Sequence, residues 1–252
     1  MLAPDEALDL LRGLRHHPEH PFRNGYAVLE GVKTIDQCRR AGVALDALVG
    51  TSADASFVPN VELAEADLTQ LIGFRPHSPL IGLVRIPEPV DVDRMAFPAI
   101  ALESVSDAAN VGAIVRTAVG LGVRTLITDA ATSHPFLRRA VRTSMGACFH
   151  VDHVRVDSLP GFLRDLTAEG RHTIALEQSP RSIPPEAVVG GVDVLAVGNE
   201  GAGCSAALLA SVAAVVQLPM AADAMSFNVA AAAAMGMYAL MAGARPHHRD
   251  VR

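Results

Sequence analysis

Three polar segments in the C-terminal half of the chain carry the side chains best suited to chemistry. In the first, residues 103–117, Asn110 precedes Arg116 by six positions; the second is the glycine-rich run 197–203, and the third is residues 217–229. Each follows a short apolar run that is typical of a buried strand. Because open α/β sheets bind ligands beyond the carboxyl ends of their strands, we expect the three segments to share one binding site.

The first segment combines an amide with a guanidinium. Six helical residues separate Asn110 from Arg116 by about 120° around the helix axis and about 9 Å along it. The two side chains can flank one site if the substrate is extended or if Asn110 bends back. Asn110 is expected at the N-cap of the helix. From spacing alone, an Asn110 that only caps and an Arg116 that is exposed or ion-paired explain the pattern as well.

The second segment is a candidate ligand loop, because Gly198, Gly201 and Gly203 permit a close approach of the backbone. Its order, G-x-x-G-x-G, differs from the dinucleotide fingerprint G-x-G-x-x-G, and Glu200 within it would repel a pyrophosphate. A cationic or zwitterionic ligand is therefore favoured. An ordinary tight turn remains the alternative.

The third segment joins a predicted strand to the last helix. Ser226 is expected to cap that helix, which places Asn228 in the first turn, facing the loop. The segment would then offer a hydroxyl and an amide to a ligand. A routine helix start also accounts for much of this pattern.

Alternating strand and helix patterns predict an α/β protein in two parts. Residues 1–87 form a predicted small domain, 88–97 a linker with prolines and charges, and 98–252 a second domain. In the second domain, short apolar runs separated by helical segments favour a mostly parallel sheet covered on both faces. Its strands are predicted at residues 99–102, 125–128, 173–176, 192–197 and 214–218.

The composition excludes several classes of enzyme. Lys33 is the only lysine, so the chain lacks the Gly-Lys pair of a phosphate-binding loop, and a pyridoxal enzyme would depend on that one residue. No G-x-S-x-G elbow is present for a serine hydrolase. The net charge of −6 gives no general attraction to nucleic acid, so an RNA partner would need a local basic face.

The remaining patterns predict a cytoplasmic protein without a metal. The cysteines form no C-x-x-C pair, which suits reduced thiols in the cytosol; they are Cys38, Cys148 and Cys204. The acidic N-terminal segment does not resemble a signal peptide, and the alanine-rich stretch 224–244 does not favour a membrane helix. His150 and His153 would point to opposite faces of a strand, so no metal site is expected.

Together the three segments resemble the SpoU/TrmH family of the SPOUT superclass, which are S-adenosylmethionine-dependent RNA ribose 2′-O-methyltransferases. Residues 110–116 resemble motif one of the family, 197–203 motif two, and 218–220 with 226–229 motif three. Each motif alone is weak, whereas three in order at the family spacing are specific. Residues 26–34 and the helix after them are similar to the small RNA-binding domain of ribosomal-protein L30e type that the family carries.

The resemblance implies a deep trefoil knot in the catalytic domain and a homodimer through that domain, with cofactor sites near the interface. S-adenosylmethionine would be held by Leu176, Gly198, Asn199, Gly201, Leu218, Met220, Ser226 and Phe227. The catalytic and orienting residues would be Asn110, Arg116, Glu200, Ser226 and Asn228. Basic residues are expected to contact RNA phosphates, although ordinary solvated helix faces explain the same charge pattern; they are Arg23, Lys33, Arg138, Arg139 and Arg142.

Arg116 is expected to be essential, and two roles are open. A free guanidinium is normally protonated, so Arg116 either binds the adjacent phosphate and stabilises the developing alkoxide, or deprotonates in a strongly cationic, desolvated pocket. Two departures from the family pattern occur: residues 107–110 read Asp-Ala-Ala-Asn in place of Asp-Pro-Gly-Asn, and Phe227 replaces leucine. We expect altered loop stiffness and packing, with no loss of a polar catalytic group.

Two other functions fit parts of the sequence. A non-catalytic RNA-binding or ribosome-assembly protein would keep the fold and would not bind S-adenosylmethionine. A small-molecule enzyme with an unrelated α/β fold would never use RNA as methyl acceptor. Between the RNA classes, rRNA is slightly favoured over tRNA as the substrate.

Overall fold

The computed structural model describes residues 1–52, 54–221, 223 and 225–241. These residues form two compact units. The first combines residues 1–88 with 111–116 and 133–150. The second consists of 89–110, 117–132 and the described residues beyond 150.

The first unit is a mixed sheet with helices. Its strands run in the order β1-β4-β2-β3, with β4 antiparallel to both neighbours and β2 parallel to β3. Leu11, Ile72 and Leu83 are completely buried in its core. The elements are α1 Pro4–Gly13, α2 His20–Arg23, β1 Tyr26–Glu30, α3 Val32–Arg40, β2 Ala47–Gly50, β3 Val61–Glu62, α4 Glu65–Ile72, β4 Leu80–Arg85 and, from a later part of the chain, α6 Arg138–Ser144.

The second unit contains a parallel sheet, which has six strands within the described residues in the order β10-β8-β9-β5-β6-β7. The elements are β5 Ala99–Leu102, β6 Thr125–Thr128, β7 Asp152–Arg155, α7 Leu159–Ala168, β8 Thr173–Leu176, β9 Val194–Val197, α8 Ala206–Ser211, β10 Ala214–Val216 and α9 Val229–Met241. Helix α5, Ala108–Gly120, has its central residues in the first unit and its ends in the second.

Strands β5, β8, β9 and β10 are mostly apolar because both faces of the sheet are covered. Ala175 and Ala196 belong to the core formed with α7 and α8. Their neighbours in the strands, Leu176 and Leu195, point to the other face, since successive residues alternate. There α9 packs so closely that a Cβ on Gly236 would lie 2.3 Å from Leu176 Cδ1. The alanine-rich sequence of α9 thus permits close packing on the sheet.

Most elements of the second unit agree with the sequence predictions, and β5, β6 and β8 have the predicted bounds. The strand predicted at 214–218 ends at Val216, the last residue that pairs with β8. The N–H of the next residue, Gln217, donates to the carbonyl oxygen of Ile183, which is not part of β8. In the predicted linker, Val92–Arg94 form a short 3-10 helix. None of the described helices is both long and apolar enough to span a membrane; positions 224 and 242–244 of the alanine-rich stretch lie outside the described residues.

Candidate functional site

Four loops of the second unit leave the sheet at the same edge. They follow β5, β8, β9 and β10, and because these strands are all parallel their carboxyl ends lie together. The three polar segments singled out in the sequence follow β5, β9 and β10. The strand order therefore brings segments together that are about 100 residues apart in the chain, at the edge where parallel sheets place ligand sites.

The loops after β8, β9 and β10, with the start of α9, line a cavity of about 380 Å³, within the range usual for small-molecule sites. Every residue expected to hold S-adenosylmethionine lines it, namely Leu176, Gly198, Asn199, Gly201, Leu218, Met220, Ser226 and Phe227. Glu177 and Glu200 also line it. The wall thus combines backbone, apolar side chains and carboxylates, which suits a ligand with an apolar ring system and positive charge.

The glycine-rich loop after β9 is a tight reversal of the chain. Asn199 and Gly203 exchange backbone hydrogen bonds of 3.1 and 2.9 Å. The side-chain oxygen of Asn199 accepts from the N–H groups of Gly201 and Ala202, at 2.9 and 3.0 Å. A Cβ on Gly198 would lie 2.2 Å from the carbonyl carbon of Gly203. Only glycine at 198 allows the two arms of this loop to come so close.

A polar cluster joins the three segments beside the cavity. Asn110 Nδ2 donates to Glu200 Oε1 at 3.0 Å, and Asn228 Nδ2 donates to Asn110 Oδ1 at 3.1 Å. Glu200 also accepts the backbone N–H groups of Ser106 and Asp107, at 3.3 and 3.2 Å. The Glu200 carboxylate therefore holds the backbone of the loop after β5. Three of the predicted catalytic residues form a chain of hydrogen bonds that runs from Asn228 through Asn110 to Glu200.

Hydrogen bonds lower the pKa of Glu200. Partial burial raises its pKa, but the hydrogen bond from Asn110, with those from backbone N–H groups that include Asp107 and Ser106, outweighs burial and holds the pKa below its ordinary value. The side chain is an exposed carboxylate that accepts hydrogen bonds only. Its role at neutral pH is to fix its donors.

Two predicted helix caps were wrong. Helix α5 begins at Ala108, and its N-cap is Asp107, whose carboxylate accepts from the N–H of Ala109. Asn110 lies inside the first turn, so its amide can reach across to Glu200. Likewise Asn228, and not Ser226, accepts from the first N–H groups of α9. In both places the residue adjacent to the first helical turn has the shorter reach to the open N–H groups.

The other predicted residues lie outside this polar cluster. Arg116 is exposed on α5 and is absent from the lining of the cavity. Arg23, Lys33 and Arg139 are also exposed, in the first unit.

Two basic residues expected to bind RNA contact protein groups of the first unit. Arg138 is ion-paired with the buried carboxylate of Glu30 and lies over the ring of Phe74, and Arg142 contacts His77 Nε2. Both are partly buried. Their contacts within the unit weaken the case for direct contact with phosphates.

Sequence reasoning missed two residues that shape the site. Glu177, directly after β8, lines the cavity and accepts the N–H of Cys204 at 2.7 Å. Ser104, directly after Glu103, has a left-handed φ of 55°, is held by two hydrogen bonds to the Asp129 carboxylate, and accepts from the Asn199 amide at 2.7 Å. Their only signal in the sequence is a polar residue soon after a strand, which is common to most loops.

Histidine, cysteine and carboxylate side chains do not come together in a metal-binding group anywhere in the part of the chain that the structure describes. The free thiols Cys38, Cys148 and Cys204 are buried. The chemistry that this edge of the sheet offers is therefore that of amides, hydroxyls, carboxylates and close backbone approach around one cavity.

Several known proteins are similar to this chain. Residues 98–238 match the model of the SpoU rRNA Methylase family. An uncharacterized tRNA/rRNA methyltransferase of Mycobacterium tuberculosis is 30% identical over 93% of this chain and 88% of its own length. The 23S rRNA (guanosine(2553)-2′-O)-methyltransferase RlmP of Bacillus subtilis is 33% identical over 55% of this chain and 56% of its own length.

A solved structure has the same fold. It is an AdoMet-bound rRNA methyltransferase from Sinorhizobium meliloti, with a TM-score of 0.77 and 24% identity over 95% of each chain. The family model covers the polar edge of the parallel sheet, including motif one, the glycine-rich loop and the start of α9. The chain therefore belongs to the SpoU rRNA methylase family.

Proposed function

We propose that this chain transfers the methyl group of S-adenosylmethionine to a ribose 2′-hydroxyl of RNA. Membership of the SpoU family makes it an RNA methyltransferase. The observation that carries the proposal is the single cavity whose lining includes all eight residues expected to hold the cofactor. The 2′-O specificity in the name of the Bacillus relative and the AdoMet bound in the Sinorhizobium structure support it.

The cavity fits the cofactor in size and chemistry. Leu176, Leu218 and Phe227 provide apolar surface for a purine ring, and Gly198 and Gly201 let backbone groups approach its polar atoms. When bound, the cofactor supplies an electrophilic methyl group on a positively charged sulfur. The protein then needs only to hold the ribose oxygen in line with that methyl group and to assist loss of its proton.

Asn110, Glu200 and Asn228 are proposed to form the polar wall that orients the ribose. The network fixes the direction of both amides, because Asn110 donates to Glu200 while it accepts from Asn228. Ser226, on the lining of the cavity, is proposed to bring its hydroxyl to the same wall. Such preorganised groups lower the barrier because they do not have to reorient during the reaction.

Arg116 is proposed to bind the phosphate next to the target ribose and to stabilise the alkoxide that develops on the 2′-oxygen. We favour this role over that of a general base because the side chain is exposed, and an exposed guanidinium stays protonated. A charged guanidinium forms paired hydrogen bonds with phosphate oxygens.

We further propose that residues 1–87 act as an RNA-binding domain, joined by the linker 88–97 to a knotted catalytic domain, 98–252. The exposed Arg23 and Lys33 support phosphate contact. A homodimer through the catalytic domain is supported by α9, which exposes the large hydrophobic side chains Met235 and Tyr238. The RNA substrate class and the buried free thiols support a cytoplasmic location.

Ribose methylation should be mapped in rRNA and tRNA from a strain that lacks this protein and is complemented with the wild type, Arg116→Ala or Arg164→Ala. We expect one 2′-O-methyl mark to be lost in the deletion strain and restored by the wild type. Arg116→Ala should not restore the mark, because loss of a transition-state interaction should lower its rate of methylation at least about 100-fold. Its affinity for S-adenosylmethionine, measured by calorimetry, should change little.

Arg164 is the matched control, because it is an exposed arginine on α7 that does not line the cavity. Arg164→Ala should restore the mark fully. Full restoration by Arg116→Ala would remove Arg116 from the mechanism. A wild-type protein that restores no ribose mark and binds no S-adenosylmethionine would favour the non-catalytic alternative.

A further inference from the structure

One carboxylate in the cavity is not accounted for by the proposed catalytic wall. Glu177 is the first residue after β8, and both of its oxygens accept backbone N–H groups: Oε1 from Gln178 at 2.9 Å and Oε2 from Cys204 at 2.7 Å. The side chain is partly buried and lines the cavity. It therefore holds a negative charge in a fixed position between a strand end and the exit of the glycine-rich loop.

The loop is shaped around this carboxylate. Gly203 has a φ of 70°, and a Cβ at that position would lie 2.3 Å from Glu177 Oε2. Any larger residue at 203 would displace the carboxylate as well as strain the backbone. A charged group therefore occupies the contact between the end of β8 and the glycine-rich loop.

Within the described part of the chain, Glu177 forms no ion pair and the cavity beside it is lined by no cation. The lining includes the carboxylates of Glu177 and Glu200. The negative charge of Glu177 also affects the thiol of Cys204, whose backbone N–H it accepts. Burial raises the pKa of Cys204 far above its ordinary value, and the charges of Glu177 and Glu103 raise it further.

We propose that Glu177 is a specificity-determining residue that makes the cavity prefer the positively charged cofactor over its demethylated product, an inference that rests on the proposed function. Methyl transfer forms a bond from the ribose oxygen to the methyl carbon and breaks the carbon–sulfur bond, whose electron pair stays on sulfur. The hydroxyl proton leaves to solvent. The sulfonium becomes a neutral thioether, so the attraction to a fixed carboxylate is lost and product release is favoured.

The size of the effect follows from Coulomb's law. At an effective dielectric constant of about 20, a carboxylate within roughly 8–12 Å of a single positive charge contributes enough to change an affinity by about tenfold or more. S-adenosylhomocysteine keeps the charges of its amino-acid part but lacks the sulfonium, so it does not feel this attraction at its sulfur. A charge effect therefore changes the ratio of two affinities, whereas a purely structural effect of the same side chain changes both alike.

The test is calorimetric titration of the full chain with S-adenosylmethionine and, separately, with S-adenosylhomocysteine, its neutral product. For Glu177→Gln, which loses the charge and one of the two acceptor oxygens, we expect the affinity for S-adenosylmethionine to fall about tenfold more than that for S-adenosylhomocysteine. Glu177→Asp keeps the charge but shortens its reach to the Cys204 N–H. It should therefore weaken both ligands and retain the preference for the charged one.

Glu103→Gln is the matched control. Glu103 also accepts a backbone N–H at the exit of the same loop, that of Ser205 at 2.7 Å, but it is absent from the lining of the cavity. Because Glu103 does not line the cavity, this variant should shift the ratio of the two affinities less than Glu177→Gln does. Equal losses of the two ligands in Glu177→Gln, or a selective loss in Glu103→Gln as large as that in Glu177→Gln, would overturn the inference while leaving the proposed function standing. A wild-type protein that binds neither ligand would overturn both.

Discussion

At the scale of single residues, the site is organised by one chain of hydrogen bonds. Asn228 accepts from the N–H groups of Ala230 and Ala231, so its amide nitrogen must face Asn110. The Asn110 oxygen accepts that hydrogen bond, and its nitrogen then faces Glu200. Each amide has one orientation that satisfies all of its neighbours. The substrate would therefore meet a fixed pattern of donors and acceptors.

The lowered pKa of Glu200 makes a testable statement about pH. A carboxyl group whose pKa is lower in the folded protein than in the unfolded chain stabilises the fold at pH values above its unfolded pKa, and that contribution is lost as the pH falls through the folded pKa. We expect Glu200→Gln to be less stable than the wild type at pH 7, and the difference to vanish on acidification. Urea unfolding between pH 7 and acid pH, followed by circular dichroism, measures it.

The comparison needs a glutamate without such donors. Glu186 is exposed and accepts no side-chain hydrogen bond among those of the described residues. Glu186→Gln should follow the wild type at every pH. If the difference in the free energy of unfolding between the wild type and Glu200→Gln grew on acidification, the pKa of Glu200 could not be lower in the folded protein than in the unfolded chain.

At the scale of elements, α5 carries two glycines with opposite surroundings. A Cβ on Gly112 would lie 2.0 Å from Thr143 Oγ1 and 2.4 Å from Ala140 O, both in α6. A Cβ on Gly120 would meet nothing within 4 Å. The first glycine lets two helices of the first unit touch through their backbones; the second has no packing role.

Alanine at these two positions should therefore have opposite effects. We expect Gly112→Ala to lower the free energy of unfolding by about 1–3 kcal/mol, because a backbone carbonyl cannot move away as a side chain can. Gly120→Ala should leave it unchanged or raise it by up to about 1 kcal/mol, since alanine is the better helix former. Urea unfolding of both variants decides this, and equal stabilities would show that α6 yields to the added methyl group.

At the scale of the whole molecule, the first unit is assembled from distant parts of the chain. Its strand β1 packs against α6, and the pair Glu30–Arg138 joins residues 108 positions apart. The Glu30 side chain is 2% exposed, and its carboxylate also accepts the N–H of His77 at 3.2 Å. Arg138 additionally lies 4.4 Å from the centre of the Phe74 ring.

Removing the arginine should cost more than loss of a surface ion pair. Arg138→Ala leaves a buried carboxylate unpaired, for which a loss of about 3–5 kcal/mol is expected. Adding Glu30→Gln should recover part of that loss, because the uncompensated charge is gone. Arg12→Ala, which breaks the exposed pair with Asp9, should cost about 1 kcal/mol or less. Chemical denaturation of the four proteins checks the order, and equal costs for Arg138→Ala and Arg12→Ala would contradict it.

Local pattern was enough to predict much of the fold and part of the site. Strands β5, β6 and β8 were predictable because short runs of apolar residues and threonine between turn signals have few alternatives. The resemblance of the glycine-rich and polar segments to the motifs of the family predicted a set of cofactor-binding residues, and these residues line one cavity. The caps at Asp107 and Asn228 were not, because several neighbouring residues at each helix start were able to accept the same N–H groups.

By itself, the sequence determined the family, the parallel α/β architecture and the chemical groups available after each strand, because periodicity and residue type act over short stretches of chain. The tertiary structure decided which of those groups meet. It paired Arg138 with Glu30, although the charge pattern had suggested RNA, and it brought Glu177 to the cavity beside Gly203. Such contacts depend on strand order and on packing between distant segments, so a local stretch of sequence does not show which distant residues it will contact.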